Sequence, residues 1–198
     1  MIADDRQGAP ADNIFWAGNL EEAGVVWYAY QSAWLPTSLL EADRRESLAD
    51  ALFVAARHYL SLHFNKGLAG ATAEAVAAAK DTPMNPAVTD AFALAITGAL
   101  GQPAYPGAPG HEPDAQAART QAEAVDKSMD AIRKLLPRLG SYVWETDYFQ
   151  PHWQEAFWGE NYDRLLAVKG KYDPDGLFFL HHGVGSEDWS ADGFTRRN

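Results

Sequence analysis

The period of the apolar positions changes several times along the chain, and each change marks a predicted element. From Ile14 to Pro36 the run is dense in aromatic and β-branched residues, with Val26, Tyr28 and Tyr30 on one face of a strand. Val25, Trp27, Ala29 and Gln31 fall on the other face, so the spacing predicts a strand stopped by Pro36. Residues 43–57 then switch to helical spacing, with Leu48, Leu52, Phe53 and Ala56 as an apolar stripe. Asp43 and Glu46 have the spacing of a capping box. In HYLSLHFNKG the pattern alternates, with Tyr59, Ser61, His63 and Asn65 on one face and Leu60, Leu62 and Phe64 on the other. That is a second strand, ended by Gly67.

Residues 71–80 are strong helix formers. AFALAITG fits a strand or a buried helix, since periodicity alone does not separate them. The longest predicted helix begins near Pro113, and Ala118, Ala122, Val125, Met129, Ile132 and Leu136 form one stripe on it. SYVWETDYF predicts a strand, on which Tyr142 and Trp144 share a face. A last helix spans about 160–171, and Asp-Pro-Asp-Gly after it marks a tight reversal. The order is α+β: an antiparallel sheet with helices on one face. Residues 1–13 read as a tail, and GQPAYPGAPGHEP as a Pro/Gly loop of a length that is often functional.

Composition removes several function classes. The chain has 198 residues and a formal charge of −11, so phosphate backbones and anionic membranes are poor partners. No apolar run approaches the roughly 18 residues that span a bilayer, and the acidic N-terminus lacks the features of a secretory signal. A cytoplasmic protein is expected. Cysteine is absent, which excludes disulfides, thiolate-held metals and a cysteinyl cofactor link from this chain. The 7 Trp, 8 Tyr and 9 Phe suit a core, a pocket wall or an interface equally.

No stand-alone catalytic signature is present. No two of the six histidines stand at i, i+4, and the His181–His182 pair reads as a loop whose imidazoles bond to backbone groups, so no metal is expected. Tyr142 could act as base or donor beside a cofactor if a cation lowered its pKa. His63 and Asn65 share a strand face and could line a pocket together.

The segment from Asn161 to Phe178, NY-x-RL-x-x-VK-x-x-YDP-x-x-LF, resembles the terminal motif of the berberine-bridge-enzyme-like flavoprotein oxidases. These belong to the vanillyl-alcohol-oxidase and p-cresol-methylhydroxylase superfamily. SYVWETDYFQPHWQEAFWG and GVGSEDW resemble its alcohol- and sugar-oxidising branch, and YAYQSAWLP and LHFNKGLAGA its substrate domain. The resemblance covers most of this chain but only about the last two fifths of a full family member. It therefore implies a substrate-domain portion (14–150) and a C-terminal segment (151–198) that returns to a flavin domain supplied by another chain. The covalent flavin attachment would lie on that FAD-binding partner, a subunit or fragment, and the initiating Met1 favours a separate reading frame.

What the resemblance implies for residues is specific. Tyr142 faces flavin and substrate as base or orienter, with His63 as a second catalytic candidate. Tyr142, Trp144 and Asn161 contact FAD. Gln31, Trp34, Asn65 and Tyr105 line the substrate pocket. The family's usual Tyr-x-Asn is here Tyr142-Val143-Trp144, so one polar contact is replaced by an indole. The implied activity is oxidation of an alcohol, a sugar or an aromatic alcohol by oxygen. The competing reading is a non-catalytic remnant without flavin, which would be colourless.

Overall fold

The computed structural model describes residues 2–3, 11–12, 14–15, 26–65, 68, 70–102, 104, 106–107, 109–110, 112–136 and 138–197. Its frame is a three-stranded antiparallel sheet in the order β3-β5-β4, made of β3 (Val26–Pro36), β4 (Ser61–Phe64) and β5 (Ala91–Gly101). Ile2–Ala3 (β1), in the stretch read as a tail, pairs antiparallel with Ile14–Phe15 (β2).

The ambiguous AFALAITG segment is the central strand, β5. Its alanines 91, 93, 95 and 99 are buried, as befits a strand covered on both faces. Gln31, Ala33 and Leu35 of β3 stand opposite Thr97, Ala95 and Ala93 of β5, and these define one face. Trp34 stands opposite Leu94, which stands opposite His63, and this row belongs to the other face. The predicted alternation fails at one place. A register shift between Trp27 and Ala29 brings Trp27 edge-to-face against Tyr30, with centroids 4.3 Å apart.

α1 (Arg45–Ala55) and α4 (Ala115–Arg133) pack on the first face. Met129 and Ile132 meet Ala33, Leu35, Ala93 and Ala95 there, with Leu48 and Ala55 from α1. The stripe on α4 is as its spacing predicts. The helix starts later than Pro113, however, because the Asp114 carboxylate caps it, accepting from the backbone N–H groups of Gln116 and Ala117. On α1 the buried residues are Leu48, Ala51 and Ala55, while Phe53 is 76% exposed. The predicted stripe had therefore put Phe53 and Ala56 on the wrong side. The capping box does not form either: Arg44 occupies the cap position and makes no side-chain cap bond.

The second face carries Trp34, Leu94 and Ile96, packed by Tyr30 and by Ala87 and Val88 at the start of α3 (Ala87–Asp90). The remaining helices are α2 (Ala73–Lys80), α5 (Trp153–Trp158) and α6 (Tyr162–Tyr172). α5 was not expected from the spacing. After α6 the chain reverses as Asp-Pro-Asp-Gly predicts. The Asp173 carboxylate takes the N–H groups of Leu177 and Phe178, and pairs with Lys169. Gly176 is required in this turn: its φ is +66°, and a Cβ would lie 2.2 Å from the Trp189 ring.

Candidate functional site

The segment predicted as a fourth strand, SYVWETDYF, is irregular. It lies along β3 without forming a ladder, because a side chain replaces one backbone acceptor. Trp34 N–H donates to the Gly140 carbonyl at 2.8 Å, but Tyr142 N–H donates to the Ser32 hydroxyl at 3.0 Å. Ser32 is buried and shares a 2.9 Å hydrogen bond with Ser141 Oγ, which continues to Thr146 Oγ1 at 2.8 Å. On the far side, Ser141 N–H donates to the Ala156 carbonyl, which also accepts from the buried Asn85 amide at 2.8 Å. Three hydrogen bonds, at Gly140, Ser141 and Tyr142, thus hold the backbone here.

They place the Tyr142 ring against Trp34, with centroids 6.1 Å apart and planes at 61°. Trp34 is buried and its indole N–H has no partner among the described residues. Tyr142 is 37% exposed, and its hydroxyl forms no hydrogen bond among the described residues. Trp144 does not share a strand face with Tyr142, since there is no strand; it is 75% exposed.

The other expected site residues divide. His63 is exposed on the edge strand β4, in the cross-strand row of Trp34 and two strands away, about 10 Å. Asn65 follows the end of β4, and its N–H donates to the Phe92 carbonyl. Gln31 is a correction. It faces α4, where its amide donates to Asp126 at 2.7 Å and to Asp147 at 3.2 Å. It stands three positions before Trp34 on the strand, so the two point to opposite faces. Gln31 is a buried strut between sheet, helix and loop and not a pocket residue. Tyr105 lies outside the described residues.

Asn161, which the resemblance puts beside FAD, is tied into the fold by its side chain. It precedes α6 but makes no side-chain cap bond. Its amide instead donates to the carbonyls of Thr82 at 3.0 Å and Met84 at 2.7 Å, tying the start of α6 to the segment before α3. Asn161→Asp removes both donors and turns a carboxylate towards two carbonyl oxygens. The expected cost is about 1–3 kcal/mol, seen as a lower melting temperature, whereas a capping role would leave melting unchanged.

Two arrangements near the site had no periodic signal in the sequence. Tyr30 donates to Glu145 at 3.2 Å, and burial followed by the Glu145 charge pushes its phenol up to about 12. The folded value lies above the ordinary one of 10.0, so this contribution to stability is intact below pH 10.0 and lost as pH rises to about 12. Melting curves across that range should fall less steeply for Tyr30→Phe than for the unmodified chain. The second arrangement is a stack in the C-terminal segment. The Tyr148 and His181 rings lie parallel at 4.0 Å, His181 and His182 at 3.9 Å, and His182 and Trp153 at 5.3 Å. His181 Nε2 meets the Tyr148 carbonyl at 2.8 Å, a backbone partner as the loop reading expects. Burial, with His181 beside it, holds the His182 imidazole below its ordinary value. Among the described residues no group of three or more His, Asp or Glu side chains is placed to hold a metal ion.

Comparison with known proteins places this geometry. Residues 141–185, which begin next to Tyr142 and run through α6, match the family described as berberine and berberine-like. Over this segment the chain is similar to the berberine-bridge-enzyme-like flavoproteins of the vanillyl-alcohol-oxidase type. It is 50% identical over 62 residues to the FAD-linked oxidoreductase ZEB1 of Gibberella zeae, covering 31% of this chain and 11% of that protein. It is 43% identical over 86 residues to the VAO-type flavoprotein oxidase VAO615 of Thermothelomyces thermophilus, covering 42% and 14%. Among solved structures, the VAO-type flavoprotein MtVAO713 of Myceliophthora thermophila aligns over 81% of this chain and 27% of its own. That alignment has a TM-score of 0.61 at 25% identity. The chain thus spans a small part of its curated relatives and about a quarter of the structural one, and that part has the α+β fold of a VAO-type flavoprotein.

Proposed function

We propose that this berberine-bridge-enzyme-like chain forms the substrate-side wall of an FAD-dependent oxidase acting on an alcohol, a sugar or an aromatic alcohol, with oxygen as acceptor. The FAD-binding part is another polypeptide or fragment. The observation that carries the reading is Tyr142: it lies in the family-matched segment and is held by buried hydrogen bonds with its phenol open beside Trp34.

The residues fit one side of a flavin and not its full cradle. Trp34 and Tyr142 give an aromatic wall. Leu177, Phe178 and Phe194 are each more than three-quarters exposed, a large apolar area for the C-terminal segment to bury against the FAD-binding part. FAD, when bound, supplies two-electron oxidation and passes the electrons to oxygen. This chain's residues orient the substrate. Tyr142 Oη hydrogen-bonds the substrate hydroxyl and, as the phenolate, takes its proton. Trp34 packs against the Tyr142 ring and limits its swing. His63, on the same sheet face, stands at the far rim.

The reading is tested by titrating the FAD-loaded partner with this chain. A saturable change in the flavin's visible spectrum at one-to-one stoichiometry is expected. An unchanged spectrum, with a chain that is colourless in every preparation, would mark a non-catalytic remnant.

A further inference from the structure

A cleft of about 500 Å³ opens between the C-terminal end of α4, the 138–140 segment and α5, beside the Asn85, Gly140 and Ala156 anchors of the Tyr142 segment. Its volume suits a small molecule. Leu136, Leu139 and Pro151 give it an apolar floor, while Arg133, Arg138 and His152 bring cationic or N–H donor groups to it. Glu155 also lines the cleft, so Arg133 is the cation there without a paired carboxylate among the described residues.

The two guanidinium groups are not equivalent. Arg138 is paired with Glu155 at 2.9 Å, and both are largely exposed. Arg133 is half-buried, and its one side-chain partner among the described residues is the neutral Gln150 oxygen, at a long 3.5 Å. A guanidinium that has lost part of its water without gaining an anion is poorly compensated, and a carboxylate matches its fork with two parallel hydrogen bonds.

We infer that this cleft binds a small carboxylate with an apolar body, its carboxylate on Arg133 and its body on Leu136, Leu139 and Pro151. Arg138, paired with Glu155, offers its remaining N–H donors at the mouth. The inference is independent of the flavin and of Tyr142.

The test uses sodium benzoate as probe, titrated calorimetrically into the full chain at constant ionic strength, with benzamide and inorganic phosphate as comparators. Benzoate should bind saturably with a Kd of about 1 mM or tighter, and benzamide about tenfold more weakly or worse. Arg133→Gln should weaken benzoate about tenfold while keeping the folded far-ultraviolet spectrum, and Arg133→Lys should recover part of the loss. If Arg133→Gln does not fold, Arg138→Gln serves instead, with a smaller but measurable loss. No binding by the unmodified chain, equal binding of benzamide, or an unaffected Arg133→Gln chain would each overturn the inference. Phosphate binding more tightly than benzoate would overturn the assignment of a carboxylate.

Discussion

Tyr142→Phe should lower turnover of the assembled flavoprotein by about 10²–10⁴-fold while leaving its melting temperature nearly unchanged. Both halves follow from the geometry. The hydroxyl that is removed forms no hydrogen bond among the described residues, so the fold loses nothing there. The contacts that hold residue 142 run through its backbone N–H to Ser32 and through its ring to Trp34, and phenylalanine keeps both. What is lost is the oxygen that takes the substrate's proton. Steady-state kinetics with a panel of sugars and benzylic alcohols, alongside thermal melts, reads the two effects separately. Turnover equal to that of the unmodified enzyme would remove Tyr142 from the chemistry and point to His63 or to a base on the FAD-binding part.

Met129→Ala should destabilise the chain by about 2–5 kcal/mol. Met129 is fully buried where α4 crosses the sheet, among Ala33, Leu35, Ala93 and Ala95. The alanines of β3 and β5 let α4 approach closely, and Met129 fills the gap they leave. They are too small to refill it once the thioether is gone, so a cavity remains. For a chain of this size the loss is equivalent to a fall in melting temperature of roughly 5–20 °C. Phe53→Ala, by contrast, should move it by less than about 0.5 kcal/mol, because Phe53 is 76% exposed. Chemical denaturation of the two variants distinguishes the observed burial from the sequence-based stripe, in which both residues face the core.

That contrast shows what the sequence made legible and why. α4 is readable because it buries one continuous stripe, which leaves a period of three to four, whereas β3, buried on both faces over 31–35, is readable from its aromatic and β-branched run. α1 was misread on one side because Phe53 is apolar and exposed, which a period cannot reveal. The 141–149 segment was misread as a strand because it carries the composition of one and does run beside β3. It is anchored through the Ser32 hydroxyl and the Ala156 carbonyl, partners that leave no local pattern. Asn161 repeats the lesson: its partners lie 77 and 79 residues earlier, where no local pattern shows them. Gln31 was separated from Trp34 by register alone, once the sheet pairing was known. Tyr142 emerged from the family resemblance, since its spacing shows only a tyrosine among other aromatics. The structure adds the reason it is held where it is.

The central claim is that this chain completes the substrate side of a flavin oxidase. Anaerobic reduction of the flavin tests it most directly, following the visible flavin absorbance of the FAD-loaded partner after adding an alcohol or sugar substrate, with and without this chain. The account predicts rapid bleaching that depends on this chain and is slowed about 10²–10⁴-fold by Tyr142→Phe. Bleaching at the same rate without the chain, or no bleaching with it across the substrate panel, would contradict the account.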